Sequence, residues 1–177
     1  MIRKTACAAA FAAAVSLAAP ARALDGLALE LGYGEEDTKL WRVGAQWKWQ
    51  KTWSAGRSWE IAGYWDLAAG AWHSRTTTLY DFGLTPVFRL QSRAREWPSY
   101  YFEAAIGFHL ITELNISERR VFGSSFQFGD HLGAGVRFGQ RGRYDVSLRL
   151  QHLSNGGIRR PNPGIDFLQL RLAHHLD

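Results

Sequence analysis

The stretch "WRVGAQWKW", Trp41 to Trp49, alternates without a break: Trp41, Val43, Ala45, Trp47 and Trp49 against Arg42, Gly44, Gln46 and Lys48. Successive side chains of an extended chain point to opposite faces, so this period of two makes one aromatic face and one face of glycine, amide and charge. A helix would mix the two sets. The stretch is therefore a strand, and the fold depends on whether its aromatic face meets a protein core or lipid.

The same alternation recurs over residues 27–33, 59–67, 80–90, 102–110, 131–138, 144–151 and 167–172, which makes eight strands with 41–49. Leu27, Leu29, Leu31 and Tyr33 oppose Ala28, Glu30 and Gly32, and Tyr80, Phe82, Leu84, Pro86, Phe88 and Leu90 oppose Asp81, Gly83, Thr85, Val87 and Arg89. No helical stripe interrupts them. The second face is rich in glycine yet carries Glu30, Arg42, Asp66, Asp81, Arg89, Glu103, Arg137 and Arg149. A soluble sandwich would show similar alternation, and a soluble lipocalin-like barrel would put the apolar face inside.

Three further features favour lipid: an export signal, strands of about ten residues, and eight tryptophans, many of them on the apolar face near strand ends, as in interfacial aromatic girdles. The expected fold is all-β, an eight-stranded antiparallel transmembrane β-barrel with a charged, side-chain-filled interior. With both termini in the periplasm, short periplasmic turns fall at 51–57, 91–98 and 139–143. Extracellular loops fall at 34–39, 70–77, 111–125 and 155–163.

The export signal is read from Arg3 and Lys4, the apolar run Ala6 to Ala19, and the small-x-small site Ala21-Arg22-Ala23. Residues 1–23 are the expected cleaved signal and 24–177 a single outer-membrane barrel domain. The apolar run is too short for a membrane helix of about 20 residues. Cleavage removes Arg3, Lys4, Arg22 and no acid, so the formal charge of +5 becomes +2, and nucleic-acid binding has little support. It also removes the only cysteine, Cys7, which excludes disulfides, thiol catalysis and cysteine zinc sites from the mature chain.

Near the C-terminus, "LRLQHLSNGGIRRPNPGIDFLQLRL", Leu148 to Leu172, places His152 and Ser154 on the parity of Leu148 and Leu150, and Asp166 on that of Leu168. Three polar residues thus interrupt an apolar stripe at one end of the wall. An imidazole can take the Ser154 proton while a carboxylate bonds its other nitrogen and fixes the tautomer. The loop "NGGIRRPNPG" supplies backbone N–H groups and asparagine amides for an oxyanion. The structural alternative is that these are ordinary rim residues, with Asn-Gly and Asn-Pro-Gly as turn signals. His109 and His131 face inward on neighbouring strands without a third metal ligand, so lumen hydrogen bonding is the expected role, and His174 and His175 are expected at the periplasmic rim.

The run His152-Leu153-Ser154-Asn155-Gly156-Gly157, followed by Arg160-Pro161-Asn162-Pro163-Gly164 and Leu170-Arg171-Leu172, resembles the C-terminal signature of the lipid A 3-O-deacylase family. The resemblance implies an outer-membrane esterase that removes the 3-O-linked acyl chain of lipid A without a metal or other cofactor. It implies His152 as general base, Ser154 as nucleophile and Asp166 as the acid, with Asn162 and the Gly157 backbone at the oxyanion. The acid in that family is often Glu, so this chain departs by one methylene. Arg159, Arg160 and Asn155 are weaker candidates for contact with the lipopolysaccharide headgroup. A homodimer is compatible with such a barrel, although no sequence feature specifies one. The competing function classes are another outer-membrane lipid hydrolase or acyltransferase, phospholipase-like, and a non-enzymatic anchor or adhesin.

Overall fold

The computed structural model describes residues 23–176, so residues 1–22, with most of the expected signal and Cys7, lie outside it. The strands are β1 (Gly26–Gly34), β2 (Thr38–Lys48), β3 (Trp53–Ser54), β4 (Trp59–His73), β5 (Thr78–Ser92), β6 (Ser99–Ile111), β7 (Phe126–Phe138), β8 (Tyr144–Ser154) and β9 (Ile165–His175). Each long strand pairs antiparallel with its neighbours. The β1–β9 register, from Gly26↔His175 to Gly34↔Phe167, closes the wall, and β2 pairs directly with β4. Eight long strands thus form a closed barrel with no free edge. β3 is an addition within the expected 51–57 turn: two residues pair with the foot of β4, and the Trp53 ring meets Trp49 edge-on at 6.2 Å.

Side-chain direction follows the sequence parity. Leu27, Leu132, Leu150 and Ile106 stand outward at 50, 67, 66 and 63% exposure, whereas Glu30, Arg42, Glu103 and Arg149 are buried inside. In water such a belt would far exceed the few hundred Å² of apolar patch that soluble monomers carry. In a bilayer it is the surface the lipid wets. Trp65, Phe88, Tyr100, Phe138 and Tyr144 ring the belt at the end bearing the termini, and Tyr33, Trp41, Tyr80 and Phe108 ring the opposite end, here called the loop end. The eleven residues of β8, at about 3.3 Å each and tilted about 40°, rise roughly 28 Å, matching the apolar band of such barrels.

The interior has two zones. Towards the termini it is ionic. Arg149 meets Glu30 at 2.6 Å, Glu103 at 2.6 Å and the Tyr64 hydroxyl at 2.8 Å. Arg89 bridges Glu103 and Asp145 at 3.0 and 2.9 Å, and Arg171 reaches Glu30 and Asp66, both at 3.3 Å. The glycines of the inner face make room for these groups. Gly133 sits between Arg149 and Glu103, and Gly83 and Gly129 flank the His109 ring.

Towards the loop end the interior is apolar, a zone that the expectation of a charged, side-chain-filled interior does not separate. Leu40, Trp72, Leu79, Ile111, Leu153, Ile165 and Phe167 point inward from the strands, and Ile116 and Phe122 fold in from the 112–125 segment above them. The expectation places an outer loop at 111–125, with no role for its side chains inside the barrel. Its two apolar side chains instead seal the barrel, because exposing them would forfeit about 1.5–3 kcal/mol each.

Candidate active site

The loop end of β8 carries His152 and Ser154, and the start of β9 carries Asp166; all three lie on the outer face. Antiparallel register sets His152 directly opposite Asp166. Asp166 Oδ1 lies 2.6 Å from His152 Nδ1, with the two side chains 68% and 43% exposed. A neutral imidazole donating from Nδ1 keeps its lone pair on Nε2. Nε2 has no hydrogen-bond partner among the described residues. The Ser154 hydroxyl is not bonded to the imidazole either; it accepts the Gly156 N–H at 3.4 Å. Two residues apart on a strand is about 6.6–7 Å, so the ring must lean along β8 to meet the hydroxyl.

Gly164 fixes how the ring leans. Its φ is +64°, and a Cβ there would stand 2.6 Å from His152 Cε1 and 3.1 Å from Nε2. Only glycine lets the backbone turn this way and lie this close to the imidazole.

Asn155 organises the 155–164 loop. Its N–H donates to Asn162 Oδ1 at 2.9 Å, its Nδ2 donates to the Arg159 carbonyl at 2.7 Å and to Ser124 Oγ at 3.2 Å, and its Oδ1 accepts the Gly157 N–H at 3.0 Å. It is wholly buried, so it shapes the loop and has no surface left for the headgroup contact expected of it. The Gly157 N–H, expected at the oxyanion, is engaged by Asn155, and the backbone donor beside Ser154 is that of Gly156. Asn162, half-buried, accepts through Oδ1 and so leaves Nδ2 to donate. Arg159 and Arg160 are exposed on the same loop.

Behind Asp166 lies a set of contacts with no sequence signal. Arg120, from the 112–125 segment, donates through Nη1 to the Gly164 carbonyl and pairs with Glu35 Oε2 at 2.9 Å. Glu35 Oε2 also accepts the Asp166 N–H, and the Glu35 N–H donates to the Asp166 carbonyl, each at 3.3 Å.

The remaining histidines belong to other surroundings. His109 Nδ1 lies 2.9 Å from Asp81, and His131 Nε2 lies 3.9 Å from Glu103. Among the described residues, no group of three or more His, Cys, Asp or Glu is arranged to hold a metal. His174 stacks on Tyr144 at 5.1 Å. His175, the last residue of β9 and so at the rim of the end bearing the termini, turns inward to Asp145 at 2.9 Å and joins the ionic interior.

A closed eight-stranded wall with an apolar outer belt is an outer-membrane barrel, and a carboxylate–imidazole pair beside a serine is equipment for ester hydrolysis. The family model of the lipid A 3-O-deacylase PagL matches residues 39–175. The chain belongs to this family of outer-membrane ester hydrolases. It is 39% identical over 89 residues to the lipid A deacylase PagL of Bordetella bronchiseptica, an alignment covering 50% of this chain and 46% of that protein. It is 28% identical over 132 residues to the lipid A deacylase PagL of Pseudomonas aeruginosa, covering 73% of this chain and 74% of the other. The crystal structure of the outer membrane enzyme PagL superimposes with a TM-score of 0.78 at 26% identity, covering 85% of this chain and 99% of that one.

Proposed function

We propose that this protein hydrolyses the 3-O-linked acyl chain of lipid A at the extracellular rim of the outer membrane, with Ser154, His152 and Asp166 as its reacting set. On this reading, residues 1–23 are removed on export and 24–177 form the mature barrel. Its chief support is the 2.6 Å contact between Asp166 and His152 on the lipid-facing wall, with Ser154 next along β8 on that same face.

His152 Nε2 takes the hydroxyl proton as Ser154 Oγ attacks the ester carbonyl, and Asp166 stabilises the imidazolium that forms. Negative charge gathers on the former carbonyl oxygen, for which the Gly156 N–H beside Ser154 and the Asn162 Nδ2 are the donors proposed. His152 returns its proton to the departing 3-oxygen of the sugar. Water, deprotonated by the same imidazole, then attacks the acyl-serine; the imidazolium returns that proton to Ser154 Oγ as the acyl–oxygen bond breaks, releasing a 3-hydroxy fatty acid. Arg159 and Arg160, exposed above the site, suit the phosphates of the headgroup.

Mass spectrometry of lipid A from cells expressing the protein tests the reading. The expected result is loss of one 3-hydroxyacyl chain with wild type and no loss with Ser154→Ala, both folded by heat-modifiable gel migration. Gain of an acyl chain, or attack on phospholipid alone, marks an acyltransferase or phospholipase. No change in any lipid marks an anchor or adhesin.

A further inference from the structure

We infer that Arg120 is a positioning residue for the acid Asp166, acting together with Glu35; this rests on the serine-hydrolase reading above. Asp166 is only the second residue of β9, and its side chain is mostly exposed, so β9 pairing alone holds it weakly. Its neighbours are nevertheless held from behind. The Arg120 side chain is 14% exposed, and its guanidinium binds the Gly164 carbonyl two residues before the acid, while its partner Glu35 binds the Asp166 N–H. These contacts form a closed circuit through the β1–β2 turn, the 112–125 segment and the start of β9.

Two consequences for the reacting groups follow. Holding the Asp166 backbone fixes where Oδ1 can meet His152 Nδ1. Holding Gly164 fixes the surface against which the imidazole leans. An aspartate, with one methylene fewer than glutamate, has less reach to absorb a backbone shift, so its position must be set from outside. Neither Arg120 nor Glu35 touches the reacting atoms. They act through Asp166 and Gly164, and their loss alters turnover more than lipid binding.

A double-mutant cycle on detergent-solubilised lipid A tests this, with folding checked by gel migration. Arg120→Gln should lower kcat about 10-fold with KM within about 2-fold, and Arg120→Lys should restore part of it. In an Asp166→Ala background the same Arg120→Gln change should cost clearly less than in the wild type, about 3-fold or under, because the part of its effect that runs through the carboxylate is gone and only the hold on Gly164 remains. Glu35→Gln, at the exposed end of the circuit, is the second variant should Arg120→Gln not fold, with the same coupling expected. Additive losses, or a rise in KM with kcat unchanged, overturn the inference. Ser154→Ala assayed alongside separates the causes: if it stays active the serine mechanism falls and the inference with it, whereas if it is dead and the losses add, the inference alone falls.

Discussion

Asp130 stands directly opposite His152 in the β7–β8 register, as Asp166 does in the β8–β9 register, so the histidine lies between two outward carboxylates. Only one is bonded to it. The ring leans to the β9 side, against Gly164 and onto Asp166 at 2.6 Å. Asp166→Ala should therefore lower fatty-acid release by roughly 10²–10³-fold, less than the ~10⁴ lost when the buried acid of a serine-protease triad becomes an amide. Asp130→Ala should cost far less, and Asp166→Glu should keep substantial activity. Near-wild-type release from a folded Asp166→Ala variant would move the acid's role to Asp130.

The lipid-facing parity is open to direct chemical test. The described residues contain no cysteine, so single cysteines report one site each. Cysteines at Leu150, His152 and Leu168 should react with a membrane-soluble thiol label and resist a bulky polar one. Those replacing Arg149 or Gln151, both buried in the lumen, should label little with either. The reverse pattern would turn the wall inside out and remove the site from the lipid.

Gly164→Ala should depress kcat by at least about 10-fold while the barrel still migrates as folded. The new methyl would press on His152 Cε1 and Nε2, and the positive φ of +64° would be strained by about 1–2 kcal/mol. Unchanged kcat in folded protein would show that the imidazole is not held against this residue.

Arg149→Met should destabilise the barrel by about 1.5–3 kcal/mol, because it removes the cation that Glu30 and Glu103 share while Arg171 and Arg89 still pair with them. Urea titration of heat-modifiable migration in detergent or lipid measures it. A midpoint close to wild type would mean that the ionic interior tolerates the loss by rearrangement.

The wall is legible in the sequence because each residue's face follows from counting by two: Trp41 outward and Arg42 inward require no knowledge of neighbours. The placement of His152, Ser154 and Asp166 on one face follows from the same count. What counting does not reach are contacts made by irregular backbone. Ile116 and Phe122 lie in a segment without period, and nothing in the run Ser117-Glu118-Arg119-Arg120 distinguishes the arginine that reaches Gly164 from its exposed neighbour. Asn155 is ambiguous for a related reason. It sits one residue past the end of β8, where parity still turns it inward but only the folded loop reveals its partners Ser124, Gly157, Ile158, Arg159 and Asn162.

The apolar seal formed by Trp72, Ile116, Phe122 and Phe167 stops the lumen from serving as a corridor, and with it any route by which substrate could thread the barrel. In the reaction proposed above, a lipid approaches Ser154 sideways, by diffusing in its own leaflet. The quantity that governs turnover is then the mole fraction of substrate among its lipid neighbours, and diluting the membrane with inert lipid should slow the reaction even when bulk concentration is unchanged. The acid liberated in that proposed reaction, anchored by its tail, would depart along the same plane and so compete for the place where the next substrate arrives.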